Sequence, residues 1–589
     1  MSALLVTLLL SVSSSGCEFP DLSLGSEDDP PADRASEPVD ADEGVEPAGA
    51  DDQSDAGQVP DEAFQLGGSD VDEEPSPVVR IVEGGTREPR TLNPVLASDP
   101  LSEEIGKLVF SGLVRPDPET GDPEPDLASG WQTSDDGSTY TFDLRDDVEW
   151  HDGQPFTAHD VVFTFDLMMD DRTRSPRYSR LVERVVSVEA IGDHRVQFHL
   201  VSPYAPFLTT FATLGIVPYH LLNDTLPDEL VTDPFGISSA IGTGPFELVG
   251  WDRADRIVFR ANDRYFGEQP QFSEYVYRVL PDDDALVDAL ETGAIDWARI
   301  SPSAFNAVHQ SEDLTALSIP SFEMVGVVLQ LNSGDGDLFH DTRVRQAMLL
   351  SLDRETLVDH VWESHAAVAN GTIPPASWVE AEPETHYEYA PDNARELLEE
   401  AGWESGEGGI RTRDGAPLQF SLIVNGDNPV RRQIAELITE QWKEIGIDAR
   451  PEYETWGSVR DRITTTKEFE SLLLGYRWDI DPDQHAMWSS DSIPDAFNLG
   501  GYVNREVDAI LDEALERHAR DERARIYGEM QERVLQDLPV LPLAFPNQTV
   551  ALGPRLHEVE VTAILLRNRA NVAAWVPEDE GSTEDAESE

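Results

Sequence analysis

The sequence predicts an α/β fold divided into lobes, on three observations: a length of 589 residues, a hydrophobic content of 39%, and strand-like and helix-like segments mixed without strict alternation. At roughly 150 residues per domain, the chain has room for three or four units, each with its own core.

Val78–Val82 is a short β-rich run. Thr139–Leu144 alternates polar with apolar residues like a half-buried strand, and Arg195–Leu200 does the same. Asp392–Ala401 and Val430–Ile445 repeat apolar residues at three- and four-residue spacing, which predicts amphipathic helices. Val507–Leu535 predicts two more, broken near His518–Asp521. The ends read differently. From Glu18 to Val78 there are 20 acids against Arg34 alone, with no hydrophobic period, so residues 18–77 are expected to be an extended tether; residues 577–589, with seven acids, are expected to be a disordered tail.

The whole chain carries 115 acidic and 42 basic residues, a formal charge of −73. That charge repels phosphate backbones and anionic lipid, which excludes nucleic acid as a partner. Cys17 is the one cysteine, so intramolecular disulfides and thiolate metal clusters are excluded too. It follows the apolar run Ala3–Val12, too short for a bilayer core of about 30 Å, and the small residues Ser15-Gly16. The arrangement resembles a bacterial lipobox, making residues 1–17 a secretion signal and Cys17 a lipidation site. It departs from that pattern in having no Lys or Arg before the apolar run and Ser14 where Leu is usual.

Catalytic, metal and cofactor motifs fail on inspection. Asp479, Asp481 and Asp483 start like an EF-hand loop, but Gln484 and Ser490 occupy positions that need Gly and Glu. No His-Glu-x-x-His pair or Gly-x-Ser-x-Gly elbow occurs, and Gly242-Thr243-Gly244 leads into a strand-like run where a phosphate loop needs a helix. The expectation is a protein with no cofactor and no catalytic role.

What the chain does contain is an ordered series of segments. Thr139–Phe165 joins a strand, the turn Trp150-His151-Asp152-Gly153, and a helix entered at Phe156-Thr157-Ala158. Asp152-Gly153 supplies the turn, Thr157 can cap the helix, and Val161, Val162 and Phe165 form its apolar face; His151 and Asp152 are expected to shape the turn. Further along come Thr91-Leu92-Asn93-Pro94, Pro125–Trp131, Gly242–Phe246, Asn262–Phe266, Val344–Met348 before Asp353-Arg354, Tyr389–Asp392, and Tyr502-Val503-Asn504. In this order they resemble the family 5 solute-binding proteins of ABC importers, the oligopeptide-, dipeptide- and nickel-binding group.

The resemblance implies a two-lobed fold of the periplasmic-binding-protein type with an extra subdomain. Lobe one would comprise residues 78–122, 240–322 and 539–576, the subdomain 123–239, and lobe two 323–538, with crossings near Phe322–Val325 and Asp537–Leu541. It also implies an extracytoplasmic monomer that closes around its solute and delivers it to a permease and ATPase complex, held to the membrane only by a lipid anchor. The solute would be a peptide, or alternatively an oligosaccharide or metal chelate, for which Trp456, Trp478 and Trp488 could stack; a sensor or hydrolase on the same fold is a further alternative.

A closed cleft must satisfy a peptide's ammonium, because an unpaired buried charge is costly. The stretch Gly475–Asp483 is similar to the family segment whose aspartate before proline takes that role. Asp481 is the first candidate, with Asp479 and Asp483 open alternatives and Trp478 a neighbouring wall. Asn498, Gly500 and Tyr502 are expected at the cleft border, and Phe322 and Met324 near a crossing. Arg431 and Arg432 offer a carboxylate partner or a solvated helix face.

Overall fold

The computed structural model describes residues 79–332, 338–493, 497–556 and 559–577. Cys17, the tether and residues 578–589 lie outside the described residues. Among those described, no helix is long and apolar enough to cross a membrane.

The alternating segments form strands where their period places them. Thr139–Leu144 and Arg195–Leu200 are adjacent in a four-stranded antiparallel sheet, flanked by Ala128–Thr133 and Val185–Ala190. The buried set Tyr140, Phe142 and Leu144 shares a face with Val196, Phe198 and Leu200. The helix Ala158–Met168 covers that face, its Phe165 ring 4.8 Å from Phe198. Its entry is fixed by Asp160, whose carboxylate accepts the Thr157 N–H at 2.8 Å. His151 brackets the preceding turn: its Nδ1 accepts the Gly242 N–H at 3.1 Å and its Nε2 donates to the Gly244 carbonyl at 3.1 Å. Burial holds this ring below its ordinary pKa, in the neutral form those two bonds require. A Cβ at Gly242 would sit 1.8 Å from the Val109 carbonyl oxygen, so only glycine allows this approach.

Two larger sheets form the lobes. In the first, Trp297–Ile300, Arg80–Gly85, Glu274–Val279, Arg256–Ala261 and Phe246–Asp252 lie in that order. In the second the order is Asp448–Glu454, Gln419–Asn425, Ser471–Arg477 and Glu323–Leu329. Gln419–Asn425 and Asp448–Glu454 are parallel, joined through the helix Pro429–Glu444, whose Ile434, Ile438 and Trp442 are buried.

One strand, Val540–Leu552, belongs to both sheets. Its first half pairs with Val325–Val328 on one side and with Ala366–Val368 on the other; its second half pairs with Thr315–Pro320 and with Trp297–Ile300. Pairing therefore passes between sheets from Ala544 to Asn547, whereas the sequence suggested Asp537–Leu541. The other passage is the step from Thr315–Pro320 into Glu323–Leu329. Both meet at Ser321, whose hydroxyl donates to the Pro546 carbonyl at 2.5 Å.

Candidate functional site

A cavity of about 100 Å³ lies between the lobes, walled by Pro100–Lys107 of the first lobe, Arg177–Gly215 of the four-stranded subdomain and Arg477–Ile480 of the second lobe. Its lining is charged. Arg177 donates to Glu103, Arg477 to Glu104 at 2.7 Å, and Arg567 lies 3.2 Å from Asp479. The last two pairs join opposite walls. Two larger concavities, of about 440 and 430 Å³, are walled by residues 107–126 and 555–576 with 213 and 265–271, all outside the second lobe's sheet, so lobe closure does not bound them.

Local sequence explains how the charges are held. The helix Pro100–Gly106 is capped by Asp99, which accepts the Ser102 N–H at 2.9 Å, and this turns Glu104 inward. Glu104 is 2% exposed and meets Arg299 at 2.9 Å, Arg477, and Arg569. Burial alone would raise its pKa, but the three guanidinium groups outweigh it and hold the carboxylate well below its usual range. Glu83 supplies the second anion, binding Arg569 at 2.5 Å and accepting the Tyr275 hydroxyl at 2.5 Å. Two carboxylates among three arginines thus tie both lobes and the C-terminal segment together.

Residues 122–497 match the family described as bacterial extracellular solute-binding proteins, family 5 Middle. The chain is a family 5 solute-binding protein. It is 29% identical over 482 residues to the oligopeptide-binding protein AppA of Bacillus subtilis, covering 81% of this chain and 88% of that one. It is also 31% identical over 462 residues to Protein XP55 of Streptomyces lividans, covering 78% and 82%. Among solved structures, AppA of B. subtilis in complex with a nonapeptide aligns with a TM-score of 0.71 at 27% identity, covering 85% of this chain and 99% of that one. NikA of Brucella suis in complex with Fe(III)-EDTA aligns with a TM-score of 0.74 at 26% identity, covering 85% and 100%. The two-lobed α/β architecture expected from the motif series is the one this family 5 chain adopts.

The cleft of this family 5 protein uses few of the residues singled out in the sequence. Asp481 is 3% exposed and engaged by Arg523, whose two Nη atoms donate at 2.7 and 2.6 Å; Arg523 also donates to Tyr527 at 2.8 Å. Trp478 is 1% exposed, stacked on Tyr476 with ring planes 7° apart. Trp488 is equally buried and donates to Gln484. Asp483 accepts the His485 N–H, and its Oδ2 has no hydrogen-bond partner among the described residues. Asn498 ties the Ser489 and Tyr502 carbonyls, and Tyr502 donates to Asp537 at 2.7 Å. At Gly500 a Cβ would lie 2.4 Å from the Leu329 carbonyl oxygen, so the close approach is to the protein's own strand. Phe322 accepts the Trp478 N–H, and Met324 is fully buried in the strand Glu323–Leu329. None of these nine lines the interlobe cavity; Asp479, the other of the two open alternatives to Asp481, does. Arg431 packs against Gly475, where burial lowers its pKa to about 10.

Sequence reasoning missed Glu103, Glu104, Arg177, Arg180 and Arg567. One signal was available: arginines at 172, 174, 177, 180 and 184 crowd a single segment of a chain whose acids outnumber its bases by 115 to 42.

Proposed function

We propose that this protein is the solute-capturing subunit of an ABC importer for peptides, closing its two lobes over the ligand and presenting it to a permease and ATPase complex. One observation carries the reading: a charged cavity bounded by both lobes, at sheets that share a single strand and meet at Ser321 and Pro546. The oligopeptide bound by its B. subtilis relative, and the nonapeptide in that relative's solved complex, support peptide as cargo. Asp479 is the proposed ammonium partner. Its Oδ1 accepts the Ile480 N–H and faces Arg567, and a carboxylate has capacity for further donors. Asp481 is already matched by Arg523 and serves the second lobe's core. The protein would work outside the cytoplasm as a monomer, tethered through a lipid on Cys17.

Thermal denaturation in a mixture of short peptides tests this. A ligand at about 100 times its dissociation constant adds roughly 2.7 kcal/mol and raises the melting temperature. No rise with peptides but a rise with chelated nickel or an oligosaccharide would transfer the protein to another cargo.

A further inference from the structure

Three arginines reach across the seam between the lobes, and each ends on an acid of the other side. From the second lobe, Arg477 donates to Glu104 at 2.7 Å. Arg520, at the start of the helix Arg520–Asp537, lies 2.6 Å from Asp122 and donates to the Thr120 carbonyl at 2.7 Å; Thr120 and Asp122 sit in the turn between the paired strands Val114–Pro116 and Pro123–Pro125. Arg567 reaches the opposite way. It ends the helix Ala563–Arg567, donates to the Trp478 carbonyl at 2.5 Å and lies 3.2 Å from Asp479. That helix is anchored on the first lobe: Thr562 caps it and donates to the Pro118 carbonyl at 2.6 Å, and Arg299 donates to the Leu566 carbonyl. Residues 477–479 are thus gripped by the first lobe at two points, while the Trp478 N–H is held by the Phe322 carbonyl at 2.8 Å, at the step between the sheets.

The buried acids nearby take their cations from their own lobe. Asp481 is matched by Arg523, and Glu104 meets Arg299 and Arg569 before Arg477 is added as a third cation. The seam pairs are therefore additions that form only where the lobes meet. They stand where charge is needed, because in a chain of 115 acids and 42 bases two walls brought together repel unless cations lie at the contact. Charge-assisted hydrogen bonds are roughly twice as strong as neutral ones, and pairs shielded from water are screened little by salt. Arg520 is the most exposed of the three and contributes least. We infer that these arginines form a latch that holds the lobes closed independently of the cargo. The latch uses protein groups alone, so it operates whatever solute the cleft takes. Closure by itself then does not report occupancy: the empty protein samples the closed form as well, and cargo shifts that balance further.

Double electron–electron resonance on the intact, cargo-stripped protein measures the interlobe distance directly. Spin labels are placed at two exposed positions, Val186→Cys in the four-stranded subdomain and Val503→Cys in the second lobe, with Cys17→Ser removing the chain's own thiol. With the seam intact, the closed distance is expected to dominate. Arg567→Gln should lower the closed-to-open ratio about tenfold, the scale of one charge-assisted contact, and Arg567→Lys should keep most of the closed population. Reversing the pair, with Arg567→Asp joined to Asp479→Arg, should restore closure. An unchanged distance distribution in folded Arg567→Gln overturns the latch, as does an intact seam that is mostly open without cargo. A reversed pair no more closed than Arg567→Gln also overturns it, because the loss then belongs to packing and not to charge. Melting temperatures show which variants are folded. If Arg567→Gln does not fold, Asp479→Asn breaks the same pair from the other lobe and is judged by the same distances. No peptide enters these measurements, so the peptide assignment stands or falls separately.

Discussion

Asp479 and Asp481 are two residues apart and differ in everything that matters for binding. Asp481 is buried against Arg523, Tyr527 and the second lobe's core, while Asp479 reaches the cavity. Breaking a buried pair by removing one partner's charge costs about 3–5 kcal/mol, so Asp481→Asn should lower unfolding free energy in urea by that order. Its discrimination between free-amino and N-acetylated peptides should stay intact. Asp479→Asn should do the reverse, with affinity for free-amino peptides falling about tenfold and stability changing little. Calorimetry and urea titration of both variants decide the matter, and a swap of the two phenotypes would return the ammonium site to Asp481. The sequence could not separate these residues. Alternating aspartates beside a proline look alike until the partner at 523, forty-two positions on, is brought beside one of them.

At the level of elements, local pattern carried most of the information. Thr139–Leu144 and Arg195–Leu200 are strands with the residue bounds that their alternation marks, and Asp392–Ala401 and Val430–Ile445 are offset by one residue from the helices Pro391–Glu400 and Pro429–Glu444. The pair expected in Val507–Leu535 is Arg505–Glu516 and Arg520–Asp537. Elements without a period were illegible. Pro100–Gly106 is only seven residues long, yet it delivers Glu104 to three arginines from separate parts of the chain. Glu104→Gln would remove the carboxylate that Arg299, Arg477 and Arg569 share. The expected loss is about 3–5 kcal/mol of unfolding free energy. A loss below about 1 kcal/mol in urea titration would mean that water already screens the cluster.

On the scale of the whole molecule, the charge of −73 is a standing destabilisation, because like charges repel more in the compact chain than in the expanded one. Raising salt from about 0.1 M to about 1 M shortens the screening length from about 10 Å to about 3 Å. Surface ion pairs such as Arg195–Asp143 weaken as well, but each is worth little. The melting temperature should therefore rise by several degrees in sodium chloride and not in an uncharged osmolyte of equal osmolality; a fall in salt would show that ion pairs dominate. The strand Val540–Leu552 has a further consequence, for the order of assembly. It is an interior strand of both sheets, inserted between Glu323–Leu329 and Ala366–Val368 in one and between Trp297–Ile300 and Thr315–Pro320 in the other. A growing chain can complete neither sheet until this strand has been synthesised, one needing residues 540–546 and the other 547–552. Each half-built lobe then exposes unpaired edges, so the two mature together at the end of translation in place of one after the other.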